Sequence, residues 1–287
     1  MLSRSRARRP AARAPRGRWG ALGGALLLAC QGGAPEPAAR AAATAPAPSP
    51  SVSAAPPPAA SKDTLGGLSF ESWVAGGGPG ERLPLVVGLH GLGDSPAGFR
   101  GLFGGVPGPA RFVLFRAPLA WGRGYSWWDY RPGDGDSPER ARALAEAAGL
   151  VARAIGEARE RFPTAGAPIV TGFSQGGMLS FALAAHHPAS IGEAIPIGGS
   201  LPPALRPATA ASPDAGALPR VTALHGEADD RVPIGPARET VARLRAAGHP
   251  ASLATFPGVG HSIPAPVRGA LHQALASAIA RARAAPP

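Results

Sequence analysis

Downstream of residue 62 the apolar positions fall into two kinds of segment that alternate along the chain. Short, almost continuous apolar runs occupy Leu83–His90, Phe112–Phe115, Ile169–Thr171, Ile191–Ile197, Val221–His225 and Ser252–Phe256. Runs of this kind suit strands buried on both faces of a parallel sheet. Between them lie stretches with helical spacing at Ser137–Phe162, Gly176–His187, Ala237–Ala247 and Val267–Ala282. Ser137 is placed to cap the first of these, with Pro138 in its opening turn, and Pro188 stops the second. Leu68–Val74 alternates weakly and predicts an early strand. Strands alternating with helices predict an α/β fold with a mostly parallel sheet covered on both faces. Two segments break the rhythm: a Trp-, Gly- and Tyr-rich loop over Arg116–Pro138, and a Pro/Ala-rich excursion over Leu201–Leu218 that is too short for a lid domain.

The first 61 residues read differently. Arg4, Arg6, Arg8, Arg9, Arg13, Arg16 and Arg18 precede an apolar stretch of eleven residues, Trp19–Ala29. That stretch is too short to span a bilayer as a stable helix but has the length of a signal-peptide core. It ends Leu27-Leu28-Ala29-Cys30, which resembles a bacterial lipobox with Cys30 as the lipidated residue. The alternatives are an ordinary cleaved secretory signal, or a start that is retained. Gln31–Ser61 is Pro, Ala and Ser with almost no charge, the composition of an extended tether. The predicted organisation is a lipoprotein-type signal over 1–29, a lipidated cysteine and tether over 30–61, and the folded α/β domain over 62–287. The chain is then expected to be exported and membrane-anchored, on the periplasmic or outer-membrane face, or else secreted; Gln31 after Cys30 favours the outer membrane.

Composition sharpens this picture at two points. The formal net charge of +11 suggests nucleic acid until its distribution is seen. Residues 1–61 hold eight arginines and one acid, Glu36, hence +7, and the rest of the chain holds only +4 (11 − 7). Nucleic-acid binding therefore has little support. Cys30 is the single cysteine, so a disulfide within the chain is impossible. The sequence holds no two-His-plus-carboxylate cluster and no CxxC spacing, and no metal is expected.

The chemistry centres on Gly172-Phe173-Ser174-Gln175-Gly176, where an apolar run turns into a helical pattern. This is a G-x-S-x-G elbow, with serine at the tip of a sharp turn and glycines where strand and helix nearly touch. A glycine-rich strand-to-helix connection is the plain alternative. Serine needs a base to accept its proton, and the base needs an anionic partner. In the order Ser, acid, His, each on a loop after a strand, the chain offers Ser174, Asp229 and His261. Glu227 and Asp230 are close competitors for the acid, as caps or surface charges otherwise. His90 and His225 end strands directly before glycine and read as buried structural imidazoles. His186, His187, His249 and His272 fall in or beside helices and read as surface residues. Gly258 and Gly260 are read as letting the histidine loop close over the elbow. Gly91-Leu92-Gly93-Asp94-Ser95, at the end of a strand, can turn backbone N–H groups toward an oxyanion. Trp127, Trp128 and Tyr130 are candidates for the substrate wall, or simply pin their own loop.

His90–Ser95 (H-G-L-G-D-S), Gly172–Gly177 (G-F-S-Q-G-G), His225–Pro233 (H-G-x-x-D-x-x-V-P) and Gly260–Ser262 (G-H-S) together resemble the phospholipase/carboxylesterase family, which includes the acyl-protein thioesterases. Trp128-Asp129 after Trp127 resembles that family's Trp-aromatic-Asp element, and Gly198–Pro202 its post-strand segment. The resemblance implies an α/β-hydrolase fold, a mostly parallel twisted sheet with helices on both faces and no large lid domain. It implies no cofactor and hydrolysis of carboxylic esters or thioesters. Carried over by position, Ser174, Asp229 and His261 form the triad, with the backbone N–H groups of Leu92 and Gln175 as oxyanion hole. The expected substrate is a small-molecule or lipid ester. Polyester depolymerase, feruloyl esterase and peptidase chemistry are the enzymatic alternatives, and a non-catalytic binding lipoprotein is the other class.

Overall fold

The computed structural model describes residues 63–129, 135–208 and 217–285. The expected signal, Cys30, the tether over 30–61 and Tyr130 lie outside the described residues. An eight-stranded sheet forms the centre, with strand order β1-β2-β4-β3-β7-β8-β9-β10. Its strands are β1 (Thr64–Leu65), β2 (Leu68–Ala75), β3 (Leu85–Leu89), β4 (Ala110–Phe115), β7 (Ile169–Phe173), β8 (Glu193–Ile197), β9 (Arg220–Gly226) and β10 (Ala251–Phe256). From β4 to β10 neighbouring strands run parallel; β1 and β2 are antiparallel additions at one edge. This is the α/β-hydrolase fold.

The apolar runs at the centre of the sheet became strands buried on both faces, whereas β10, at its edge, is exposed or half-buried throughout. β3, β4 and β8 are buried at every position. One face is covered by α2 (Pro138–Arg161), α3 (Gln175–His186) and α4 (Ile234–Ala246), which pack Leu144, Val151, Leu179, Leu183, Val241 and Leu244 into one apolar cluster. The other is covered by α1 (Pro96–Arg100) and α5 (Ala265–Ala284), whose Phe99, Val267, Leu271 and Leu275 join a second cluster with Phe112 and Ile195. α3 is buried from Gln175 through Ala184. That matches its sequence, which is apolar around the whole circumference rather than along one stripe.

Ser137 caps α2 as expected, its Oγ accepting the Arg140 N–H at 3.2 Å. α4 begins earlier than the spacing predicts, at Ile234, because Pro236 falls in its first turn where a missing N–H costs nothing. Other features also depart from the sequence reading, among them the short edge strand β1. α1 was not expected; five residues contain too little periodicity to register. The loop over Arg116–Pro138 contains a hairpin, β5 (Leu119–Trp121) against β6 (Gly124–Ser126). His249, expected at the surface, is buried, with Nδ1 3.0 Å from the Pro219 carbonyl.

β3 and β7 are adjacent, yet the chain leaves β3 for β4 on one side and continues from β7 to β8 on the other. In open parallel sheets the crevice outside the carboxyl ends at such a point is where ligands bind. The loop after β3 and the elbow after β7 meet there.

Candidate active site

Ser174 joins β7 to α3 with φ 56° and ψ −113°, and among the described residues it is the one non-glycine with positive φ. Such a backbone costs about 1–3 kcal/mol and persists only where its surroundings impose it. Here they do. The Ser174 N–H donates to the Ile197 carbonyl at 3.0 Å, and its own carbonyl accepts the Met178 N–H at 2.9 Å. A Cβ on Gly176 would overlap the Leu89 carbonyl oxygen, and one on Gly172 would overlap Gly176. The two outer glycines of the elbow are therefore demanded by backbone contact on both sides.

Asp229 and His261 reach the same point from the loops after β9 and β10. The loops are tied together by the Ala228 N–H donating to the Val259 carbonyl at 3.0 Å. The glycine that permits this approach is Gly226, whose Cβ would overlap Val259 O, whereas a Cβ on Gly260 would make only ordinary contact. Gly258 serves the turn instead, at φ 70°. His261 Nδ1 lies 2.7 Å from Asp229 Oδ2, and Nε2 lies 2.9 Å from Ser174 Oγ. A carboxylate can only accept, so Nδ1 carries the ring proton and Nε2 is left to accept from the serine hydroxyl. The other carboxylate oxygen, Oδ1, accepts the N–H groups of Arg231 and Val232 at 3.0 and 2.9 Å. Phe173 packs against the imidazole at 4.7 Å between ring centroids.

His225 is the neighbour that sequence reasoning assigned to structure. It is buried, its Nε2 donates to the Val232 carbonyl at 2.7 Å, and burial holds its pKa below the ordinary histidine value. His90 is also buried and depressed for the same reason. Its Nε2 accepts the Ala117 N–H at 3.2 Å, which leaves Nδ1–H to donate to the Gly91 carbonyl at 2.7 Å. Glu227 and Asp230 are exposed, Glu227 accepting from the Thr255 hydroxyl at 2.7 Å.

A cavity of about 480 Å³ opens over Ser174 and His261, with Gly91, Leu92, Gln175 and Trp128 in its wall. Leu92 and Gln175 thus flank the serine from the two loops expected to hold an oxyanion. The two tryptophans part company. Trp128 lines the cavity; Trp127 does not, and is buried with its indole N–H donating to the His90 carbonyl at 2.9 Å. Trp127 belongs to the support of the site.

That support includes a link not foreseen from the sequence. The Gln175 side chain accepts the Trp127 N–H at 3.1 Å and donates to Ser126 Oγ at 3.2 Å; Ser126 donates to the Trp128 carbonyl at 2.6 Å. The first residue of α3 thereby clamps the strip following the hairpin against the elbow. Tyr125 pairs with the β3 loop through Gly93 N–H to Tyr125 O and Tyr125 N–H to Asp94 O, both 2.9 Å. Among the described residues no group of three or more His, Cys, Asp or Glu is placed to hold a metal.

The sequence profile of the phospholipase/carboxylesterase family matches residues 78–276, which carry the elbow and both loops. The chain belongs to the phospholipase/carboxylesterase family. A probable inactive carboxylesterase of Oryza sativa subsp. japonica is 28% identical over 199 residues, covering 63% of this chain and 79% of that protein. Among solved structures, esterase PE8 aligns with a TM-score of 0.63 at 22% identity, over 74% of this chain and 99% of its own. The Bacillus cereus carboxylesterase follows with a TM-score of 0.59 at 16% identity, covering 74% and 94%. Zea mays acyl-protein thioesterase 2 gives 0.58 at 20% identity, covering 73% and 98%. At these identities the structures speak to the fold, and the family assignment rests on the profile. The chain is thereby a hydrolase of the carboxylesterase and thioesterase type by family.

Proposed function

We propose that this protein hydrolyses carboxylic esters through an acyl-enzyme formed on Ser174. The observation that carries the reading is the continuous contact from Ser174 Oγ through His261 to Asp229, at 2.9 and 2.7 Å. In this reading His261 takes the hydroxyl proton as Ser174 attacks the carbonyl carbon, and Asp229 holds the ring in the required tautomer. The N–H groups of Leu92 and Gln175 receive the oxyanion. His261 then protonates the departing alcohol or thiol, and water, deprotonated by the same imidazole, releases the acid. Cleavage of a lipid ester or thioester fits the same steps.

The second reading is a silent hydrolase fold that binds without turnover, favoured by the name of the rice relative. A fluorophosphonate probe separates the two, because only an activated serine is labelled. Labelling of the wild type and hydrolysis of short-chain p-nitrophenyl esters are expected, and Ser174→Ala should remove the labelling and cost about 10⁴–10⁶ in turnover. Absence of labelling, or turnover preserved in Ser174→Ala, overturns the reading. We further propose that Cys30 is lipidated and holds this activity at a membrane outside the cytoplasm, the cluster of arginines before residue 19 and the Leu-Leu-Ala-Cys sequence supporting export.

A further inference from the structure

The cavity over Ser174 carries two guanidinium-bearing residues that ester cleavage itself does not use. Arg140 and Arg231 both line it. They arrive on separate elements: Arg140 from the first turn of α2, Arg231 from the loop that carries Asp229. A cation in the first turn of a helix opposes the helix dipole, so α2 itself has no use for Arg140 there.

The Arg140 side chain is held in place. Nη1 donates to the Gly135 carbonyl at 2.7 Å and Nη2 to Met178 Sδ at 3.6 Å. Met178 also lines the cavity, and its N–H donates to the Ser174 carbonyl one helical turn before it. A thioether is a weak acceptor and leaves a guanidinium largely unsatisfied. Arg140 Nε is buried without a hydrogen-bond partner, and so is Nε1 of Trp128 in the same wall. Asp136 lies 4.0 Å from Arg140 Nη1 and is half exposed, and Arg231 is itself an exposed residue. The carboxylate in the cavity wall, Asp94, is engaged elsewhere: its Oδ1 accepts the Ser95 N–H at 2.7 Å at the start of α1. The wall thus sets two guanidinium charges against one carboxylate, Asp94. A neutral group placed against the largely buried Arg140 side chain would strip water from its guanidinium and return nothing, while the exposed Arg231 adds its charge from the solvent side.

We infer that the substrate carries a carboxylate or phosphate close to the scissile ester, and that Arg140 and Arg231 bind it. This inference rests on the esterase reading above. Guanidinium forks suit both anions, and a charge-assisted pair in a partly closed cavity discriminates strongly against the uncharged analogue.

Two substrate pairs test it on the full-length protein. Monoethyl glutarate and ethyl valerate place a carboxylate or a methyl at the far end of acyl chains of equal length. Butyryl glycerol 3-phosphate and monobutyrin place a phosphate or a hydroxyl on the alcohol side. In at least one pair the kcat/KM of the anionic member should exceed that of its partner by about tenfold or more. That ratio should fall about tenfold in Arg140→Gln and in Arg231→Gln, and should fall as salt is raised in the wild type. The pair showing the preference identifies which side of the ester bears the charge. The salt series reads the same contact without relying on a variant that folds. A ratio at or below one in both pairs, or a ratio that either substitution leaves unmoved, overturns the proposal. Fluorophosphonate labelling of the same preparation separates the two levels. Labelled enzyme without an anion preference removes this inference alone, and enzyme that neither labels nor cleaves any of the four esters removes the esterase reading with it.

Discussion

At the scale of single residues, this site depends on histidines whose protonation states are assigned by their neighbours. Neutral His90 aligns the β3 loop by accepting from Ala117 and donating to Gly91, and neutral His225 supports the loop of Asp229 through Val232. Both values are depressed from 6.5, with burial the largest cause. The unfolded chain therefore binds more protons than the folded one once pH falls below the ordinary histidine value, and stability must fall with it. Buried Glu193, whose pKa is raised by burial against the pull of Arg281, acts in the opposite sense at more acid pH. The expected outcome is a melting temperature that is level above about pH 7.5 and declines between about pH 7 and 5.5. Calorimetry across that range checks it, and a melting temperature that rises on acidification contradicts it.

Among the elements, α3 does the most to determine what the site can be. Ser174 caps it, Gln175 clamps the strip after the hairpin, Met178 meets Arg140, and Gly176 lies against β3. Its helical spacing was plain in the sequence; its burial around the whole circumference and its crowding were not. Gly176→Ala is expected to lower stability by about 3 kcal/mol or more, because the added methyl meets the Leu89 carbonyl, which no rotamer can move. Chemical denaturation measures this, with Gly156→Ala, open to solvent within α2, as a control expected to change little or gain. Equal effects at the two glycines would show that the elbow tolerates a Cβ.

Considered as a whole molecule, the chain joins a charged, Pro/Ala-rich N-terminal region to a hydrolase whose described surface is polar. Leu119, on β5 of the hairpin beside the site, is the one large apolar side chain exposed among the described residues. Among the same residues no helix is long and apolar enough to cross a membrane. The proposed attachment to a membrane is through the lipid on Cys30. Cys30→Ala expressed in a bacterial host should shift the protein from the membrane fraction to the soluble one while leaving ester turnover intact. An unchanged membrane fraction rules the anchor out.

Much of this architecture was written in local pattern. Strands buried on both faces must be apolar at nearly every position, so β3, β4, β7, β8 and β9 stood out as continuous runs. α2 was legible almost to the residue because its cap, its proline and its period all agree. The order Ser174, Asp229, His261 was legible too, since each follows a strand. Whether the three side chains touch depended on loop closure, which rests on Gly226 and on the bond from Ala228 to Val259. The hairpin escaped notice because three-residue strands have no period, and it is held by pairing with the β3 loop. Trp127 and Trp128, adjacent in the chain, were indistinguishable until one proved to face the cavity and the other the core. Sequence by itself determined the fold class and the chemical vocabulary of the site, because burial and strand order leave periodic traces. Only the tertiary structure decided which charges share the cavity with Ser174, because Arg140, Arg231 and Asp94 reach it from α2 and from the loops after β9 and β3, and nothing local records that convergence.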